Sequence, residues 1–183
     1  MKAVFLLAGV ASLTLTASLA QASGLDVNIN NEAARFAASG ELKPGIELGG
    51  SLLSSDDNGD LTAASVQVLG TETARTYEVG AGPRWSHYDS DHGKGGGLGL
   101  GGYGYVSLPA VPKLSVGGYG FYTPGALTYQ DFDHGSEIGV RARYRVAQNA
   151  QAYIGYRRIG AEFDNSDSET LDSGPLVGVN LLF

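Results

Sequence analysis

Cysteine is absent from all 183 residues. No disulfide framework can therefore brace the chain, and no lipidated cysteine can tether it. Basic residues are few. Of 12 Lys and Arg, Lys2 lies in the extreme N-terminal segment, which leaves 11 against 19 Asp and Glu, a net charge of −8 for the remainder. That balance argues against nucleic acid as a partner. Beyond the N-terminus no long apolar run occurs, and no window carries a 3.6-residue apolar stripe, so neither a transmembrane helix nor an amphipathic helix is indicated.

The one long apolar run is at the start. Met1-Lys2 precedes an apolar stretch from Ala3 to Leu19, followed by Ala20-Gln21-Ala22. A basic start, an apolar middle and a small-x-small site describe a secretory signal peptide over residues 1–22, cut after Ala22. Residues 23–183 then form one domain, expected at the cell outer membrane.

What the remainder has in quantity is glycine, 28 residues spread among Tyr, Val and Leu, together with period-two alternation. Ile46, Leu48 and Leu52 oppose Glu47, Gly49 and Ser51; Tyr77, Val79, Ala81 and Trp85 oppose Glu78, Gly80, Gly82 and Arg84. Between Glu137 and Val146, Ile138, Val140, Ala142, Tyr144 and Val146 point one way, while Glu137, Gly139, Arg141, Arg143 and Arg145 point the other. The adjacent Arg157 and Arg158 interrupt such a pattern and suggest a bulge. At the end, Pro175, Val177, Val179, Leu181 and Phe183 share an apolar face. An exposed apolar strand of this kind is a sticky edge in a soluble protein, whereas in a membrane barrel it closes the cylinder and faces lipid. Phe183, Leu181 and Val179 are thus the expected closure and assembly signal, read by the barrel assembly machinery.

The fold class expected is all-β, a transmembrane up-and-down antiparallel barrel. From Pro44 onward, polar loops and short turns alternate through eight strands, with the turns at the periplasmic end. Residues 44–183 make this main barrel, and 23–43 are either an N-terminal strand or a hairpin that raises the count to ten. Tyr77 or Trp85, Tyr122, Tyr144 and Phe183 fall where an aromatic girdle belongs.

The segments Ser55-Asp56-Asp57-Asn58-Gly59-Asp60, Tyr122-Thr123-Pro124-Gly125-Ala126-Leu127, Tyr153-Ile154-Gly155-Tyr156-Arg157 and Gly174-Pro175-Leu176-Val177-Gly178-Val179-Asn180, in that order, carry a resemblance to the YfaZ family of small outer-membrane proteins. It implies an outer-membrane β-barrel described as porin-like, and it brings no catalytic residue.

Charged side chains facing lipid at mid-depth cost about 2–4 kcal/mol for Arg or Lys. Arg84, Arg141, Arg143, Arg145, Arg157, Glu47, Glu78 and Glu137 therefore belong in the lumen. Two readings follow: a buried network that seals the barrel, or a narrow pore whose Arg ladder favours anions. The run Gly97-Leu98-Gly99-Leu100-Gly101-Gly102 matches a dinucleotide fingerprint in letters only, lacking the helix that would receive a pyrophosphate; its glycines make room for Tyr side chains from across the lumen. His87, His92 and His134 fall in outer loops beside Asp89, Asp91, Asp131 and Asp133, with no nucleophile motif nearby, so an enzyme is not expected, nor is a cofactor. The acidic loops, with Asp56, Asp57, Asp60, Asp164, Asp167 and Glu169, could hold divalent cations through oxygen ligands.

Overall fold

The computed structural model describes residues 22–57, 60–91, 93–163 and 169–183. The signal peptide expected over residues 1–22 falls outside this range except for Ala22, and so do Asp164 and Asp167. The strands are β1 (Ala22–Ile29), β2 (Ala33–Lys43), β3 (Ile46–Ser55), β4 (Leu61–Thr73), β5 (Tyr77–Ser90), β6 (Gly93–Leu108), β7 (Val111–Thr123), β8 (Thr128–Gln130), β9 (Phe132–Ala147), β10 (Ala150–Phe163) and β11 (Glu169–Leu182). A single 3-10 turn, Gly125–Leu127, precedes β8, and the described residues contain no α-helix.

Neighbouring strands pair antiparallel all the way round. β5 pairs β6, and β1 pairs β11 with Val27 opposite Val179 and Leu25 opposite Leu181. The result is a closed barrel of ten strands, with β8 as an eleventh piece laid on β6. The favoured count of eight is corrected to ten. Residues 23–43 are a hairpin within the wall, because Leu25, Val27, Ile29 and Phe36 offer the outer face the same apolar alternation as the later strands, while Asp26, Asn28 and Arg35 turn inward. The closing partner of the last strand is therefore β1. Val179 and Leu181 lie on the outer face at this seam, and Phe183, the residue after β11, is exposed.

Short turns and both ends of the barrel chain gather at one rim. Three of these turns are two residues long, Pro44-Gly45, Pro109-Ala110 and Gln148-Asn149, and in the first Gly45 adopts φ 79°, a left-handed conformation natural to glycine. The other rim carries the excursion between β7 and β9 and the five-residue connections after β3 and β10, beside two short ones, 30–32 and 91–92. There the strands run further than the polar sequence suggested: Ser86–Ser90 and 93–96, expected as loop, continue the β5–β6 ladder. Above Thr123 the chain leaves the wall, and β8 takes over as partner of β6 through Gly95, Gly96 and Gly97.

Outward side chains are apolar in a continuous belt that includes Val66, Leu100, Val140, Ile154 and Val177. Aromatic residues edge it, with Tyr77, Tyr144 and Phe183 toward the short-turn rim and Trp85 and Tyr122 toward the other. From Tyr77 to Trp85 is about 27 Å of strand, shortened to about 20 Å by the usual tilt and comparable to the apolar band of about 25 Å on membrane barrels.

The predicted bulge at Arg157 and Arg158 is also corrected. β10 keeps strict alternation there: Arg157 faces in, and Arg158 faces out and donates to Thr170 Oγ1 at 3.2 Å. The irregularity lies next to it on β11, where Ile159 opposes Asp172 and Gly160 opposes Thr170, leaving Leu171 as the extra residue.

Candidate functional site in the barrel lumen

Inward residues divide the lumen into three levels. Nearest the long-loop rim is an apolar plug, with Leu53, Leu61, Tyr88, Phe132, Phe163 and Leu171 among its members. Phe132 stacks on Tyr88 at 5.4 Å between ring centroids and meets Phe163 edge-on at 5.7 Å.

Below the plug lie two buried ionic clusters. Glu137 on β9 accepts from Arg35 on β2 at 2.5 Å and from Arg84 on β5 at 2.8 Å. Arg84 also donates twice to Gln67 Oε1, at 2.8 and 3.0 Å, and lies 3.4 Å over the Phe121 ring. Arg35 reaches Ser51, which is bonded to Ser65. These contacts bind strands spaced around the whole ring, so Glu137 acts as the hub of a brace across the lumen. On the plug side of the hub the cavities are about 10 Å³ each, room for no more than a single water, while on the other side Arg35 and Arg84 form the floor of a larger cup. The second cluster centres on Arg157, whose side chain is 0% exposed. It donates to Asp172 at 2.7 Å and to Asn28 at 3.0 Å, and Asp172 accepts further bonds from Ser55 and Asn30.

The third level opens at the short-turn rim as a cup of about 170 Å³. Arg141 pairs with Asp26 at 3.2 Å and lies over Tyr153 at 4.5 Å; Tyr153 donates to Asp26 at 2.8 Å. Arg143 pairs with Glu78 at 3.1 Å and lies over Tyr105 at 3.4 Å. Glu47 and Tyr103 line the same cup. Arg145 continues the ladder toward the rim but is exposed, and among the described residues it makes no ion pair with an acidic side chain.

The structure thus brings Arg84, Arg141, Arg143, Arg157, Glu47, Glu78 and Glu137 to the inside. Arg35, Asp26, Asn28 and Asp172 complete their network. Arg35 was discoverable, since it sits between the outward Ala34 and Phe36. Asp172 was hidden, because the Leu171 bulge breaks the period that would have placed it.

Glycines serve the aromatic residues differently from the expectation. Tyr119 lies against Gly139, its paired residue on the adjacent strand, where a Cβ would come within 2.4 Å of the ring. The rings are accommodated by neighbours in the wall, and Gly101 and Gly97 likewise face Phe121 and Thr123 of β7.

Of the histidines, His87 is on the outer face of β5 instead of in a loop; its Nδ1 is 2.9 Å from the Tyr129 hydroxyl, and its ring lies nearly parallel to those of Trp85 and Tyr129. His92 lies outside the described residues. His134 stands between Asp133 and Glu162, 3.5 Å from each. Of the acidic outer-loop residues, Asp57 accepts from the Ser173 amide at 2.9 Å and Asp91 from the Asp60 amide at 3.2 Å.

Comparison with known proteins bears on this architecture. A family model described as YfaZ precursor matches residues 1–183, and no curated protein matches. Among solved structures, the outer membrane protease OmpT from Escherichia coli is similar with a TM-score of 0.57 at 13% identity, over 88% of this chain and 94% of that one. The KdgM porin is similar with a TM-score of 0.50 at 11% identity, over 89% and 99%. At such identities the likeness establishes the fold, and it spans both a protease and a porin.

Proposed function

The chain belongs to the YfaZ family, and we propose that it spans the outer membrane as a sealed barrel, a structural membrane protein whose Arg ladder braces the wall instead of lining an open pore. The observation that carries this reading is the Glu137 hub. Its two guanidinium partners come from β2 and β5, so the contacts cross the lumen and leave only water-sized gaps between the cup and the plug. The plug above, closed by Phe132, removes a second stretch of any ion path. Lipid is the partner the outer belt calls for, since apolar outward positions are what a bilayer core accepts. No step of chemistry is assigned to the lumen, and the reading is of a protein that is not an enzyme.

Conductance of the refolded chain in a planar bilayer tests this, with folding checked by resistance to SDS without boiling. The sealed barrel gives a silent trace. Discrete steps with an anion-selective reversal potential, weakened by Arg143→Glu, would overturn the reading in favour of a narrow anion pore.

A further inference from the structure

We propose that Asp133, His134 and Glu162 form a binding site for a divalent transition-metal ion of the zinc type on the outer surface of the barrel, at the long-loop rim. The site does not depend on whether the lumen is sealed.

The ladder between β9 and β10 builds it. His134 opposes Glu162 and Phe132 opposes Phe163, so Asp133 is an extra residue on β9, a β-bulge. In an unbroken strand Asp133 would point to the opposite face from His134. A bulge re-aims the side chain it carries, and here it delivers the Asp133 carboxylate beside the imidazole. The three ligand atoms lie within 4.8 Å of one another, with Asp133 Oδ2 3.5 Å from His134 Nδ1 and Glu162 Oε2 3.5 Å from His134 Nε2. The two carboxylates face different nitrogens of the ring, so an ion held on one nitrogen takes the nearer carboxylate directly, and the other once its side chain has turned toward that same nitrogen, at the roughly 2.0–2.2 Å that zinc requires.

Two further observations favour a cation there. Among the described residues no Lys or Arg pairs with Asp133 or Glu162; Lys94, on β6, is committed to Asp89 at 2.5 Å. Among the described residues the two carboxylates therefore share one imidazole as their basic partner. Gly125 also leaves the space that Asp133 uses, since a Cβ at 125 would stand 3.0 Å from Asp133 Oδ1. The side chains are 53%, 38% and 34% exposed for Asp133, His134 and Glu162, so an ion reaches them from water.

The donor set chooses the ion. One imidazole nitrogen with two carboxylate oxygens suits Zn²⁺ and its first-row neighbours, whereas Ca²⁺ and Mg²⁺ prefer oxygen alone. Three protein ligands leave at least one coordination position for water.

Isothermal titration of Zn²⁺ into the folded, detergent-solubilised barrel tests the site, with His87→Ala and His92→Ala introduced to remove the other imidazoles. The expected result is one ion per chain, with affinity falling at least tenfold in His134→Ala and in Glu162→Gln. Cu²⁺ bound to the same protein should show electron-spin coupling to a single imidazole nitrogen, a readout that needs no variant at the site. Failure to saturate with Zn²⁺ at millimolar concentration would overturn the proposal. So would binding unchanged in His134→Ala, or a Cu²⁺ spectrum without nitrogen coupling.

Discussion

The two halves of the lumen use the same residue types to different ends. Toward the long-loop rim, Arg35, Arg84 and Arg157 are buried against Glu137 and Asp172, beneath an apolar plug that keeps water out. Toward the short-turn rim, Arg141 and Arg143 line an open cup with Asp26, Glu78 and three tyrosines. The Coulomb attraction of a pair grows as water is excluded, but so does the cost of leaving either partner alone. Position along the barrel axis, more than the identity of the pair, decides what each ion pair contributes.

The largest effect is expected at the hub. Glu137→Ala leaves Arg35 and Arg84 buried without their carboxylate, a change that costs about 3–5 kcal/mol in comparable sites. Urea unfolding of the folded barrel in detergent should show that loss. The combined replacement Arg35→Met, Glu137→Leu and Arg84→Met should recover most of it, because an apolar isostere avoids desolvating charge altogether. A loss below about 1 kcal/mol in Glu137→Ala would place the hub in water and erase the distinction between the halves.

Much of this was legible in the sequence, and the rest was hidden for identifiable reasons. Alternation in the wall assigned Glu47, Glu78, Arg84, Glu137, Arg141 and Arg143 to the inside, because a strand's period of two is fixed by backbone geometry. Strand ends were harder. The hairpin of β1 and β2 escaped the favoured count because its first strand has only eight residues and its alternation is short. Inward positions near the long-loop rim, such as Ser86 and Tyr88, read as loop because their neighbours are polar or glycine. Bulges removed Asp172 and Asp133 from any periodic reading. Which Arg meets which carboxylate depends on contacts between strands far apart in sequence, such as Arg35 and Glu137, 102 residues apart, and no local pattern encodes that.

An intermediate effect is expected where the two halves meet, at the wall beside Tyr119. Gly139→Ala puts a methyl group within 2.4 Å of the Tyr119 ring, and overpacking of this kind costs about 1–3 kcal/mol. Truncating the ring in Tyr119→Ala should make the second substitution nearly free, so a double-mutant cycle gives a coupling comparable to the single-site loss. Additive losses would mean that the ring does not rest on Gly139.

The smallest effect belongs to the cup. Arg143 is 12% exposed at its side chain, but its partner Glu78 is 36% exposed, so the pair is solvated on one side and screened by salt. Arg143→Ala should cost about 1 kcal/mol or less, and stacking on Tyr105 contributes part of that. The discriminating measurement is the salt dependence of the two losses. Raising ionic strength should shrink the cost of Arg143→Ala while leaving that of Glu137→Ala nearly unchanged, since mobile ions reach the cup and not the hub. Equal salt dependence at both sites would mean that ions reach the hub as freely as the cup, and the distinction between the two halves would fail.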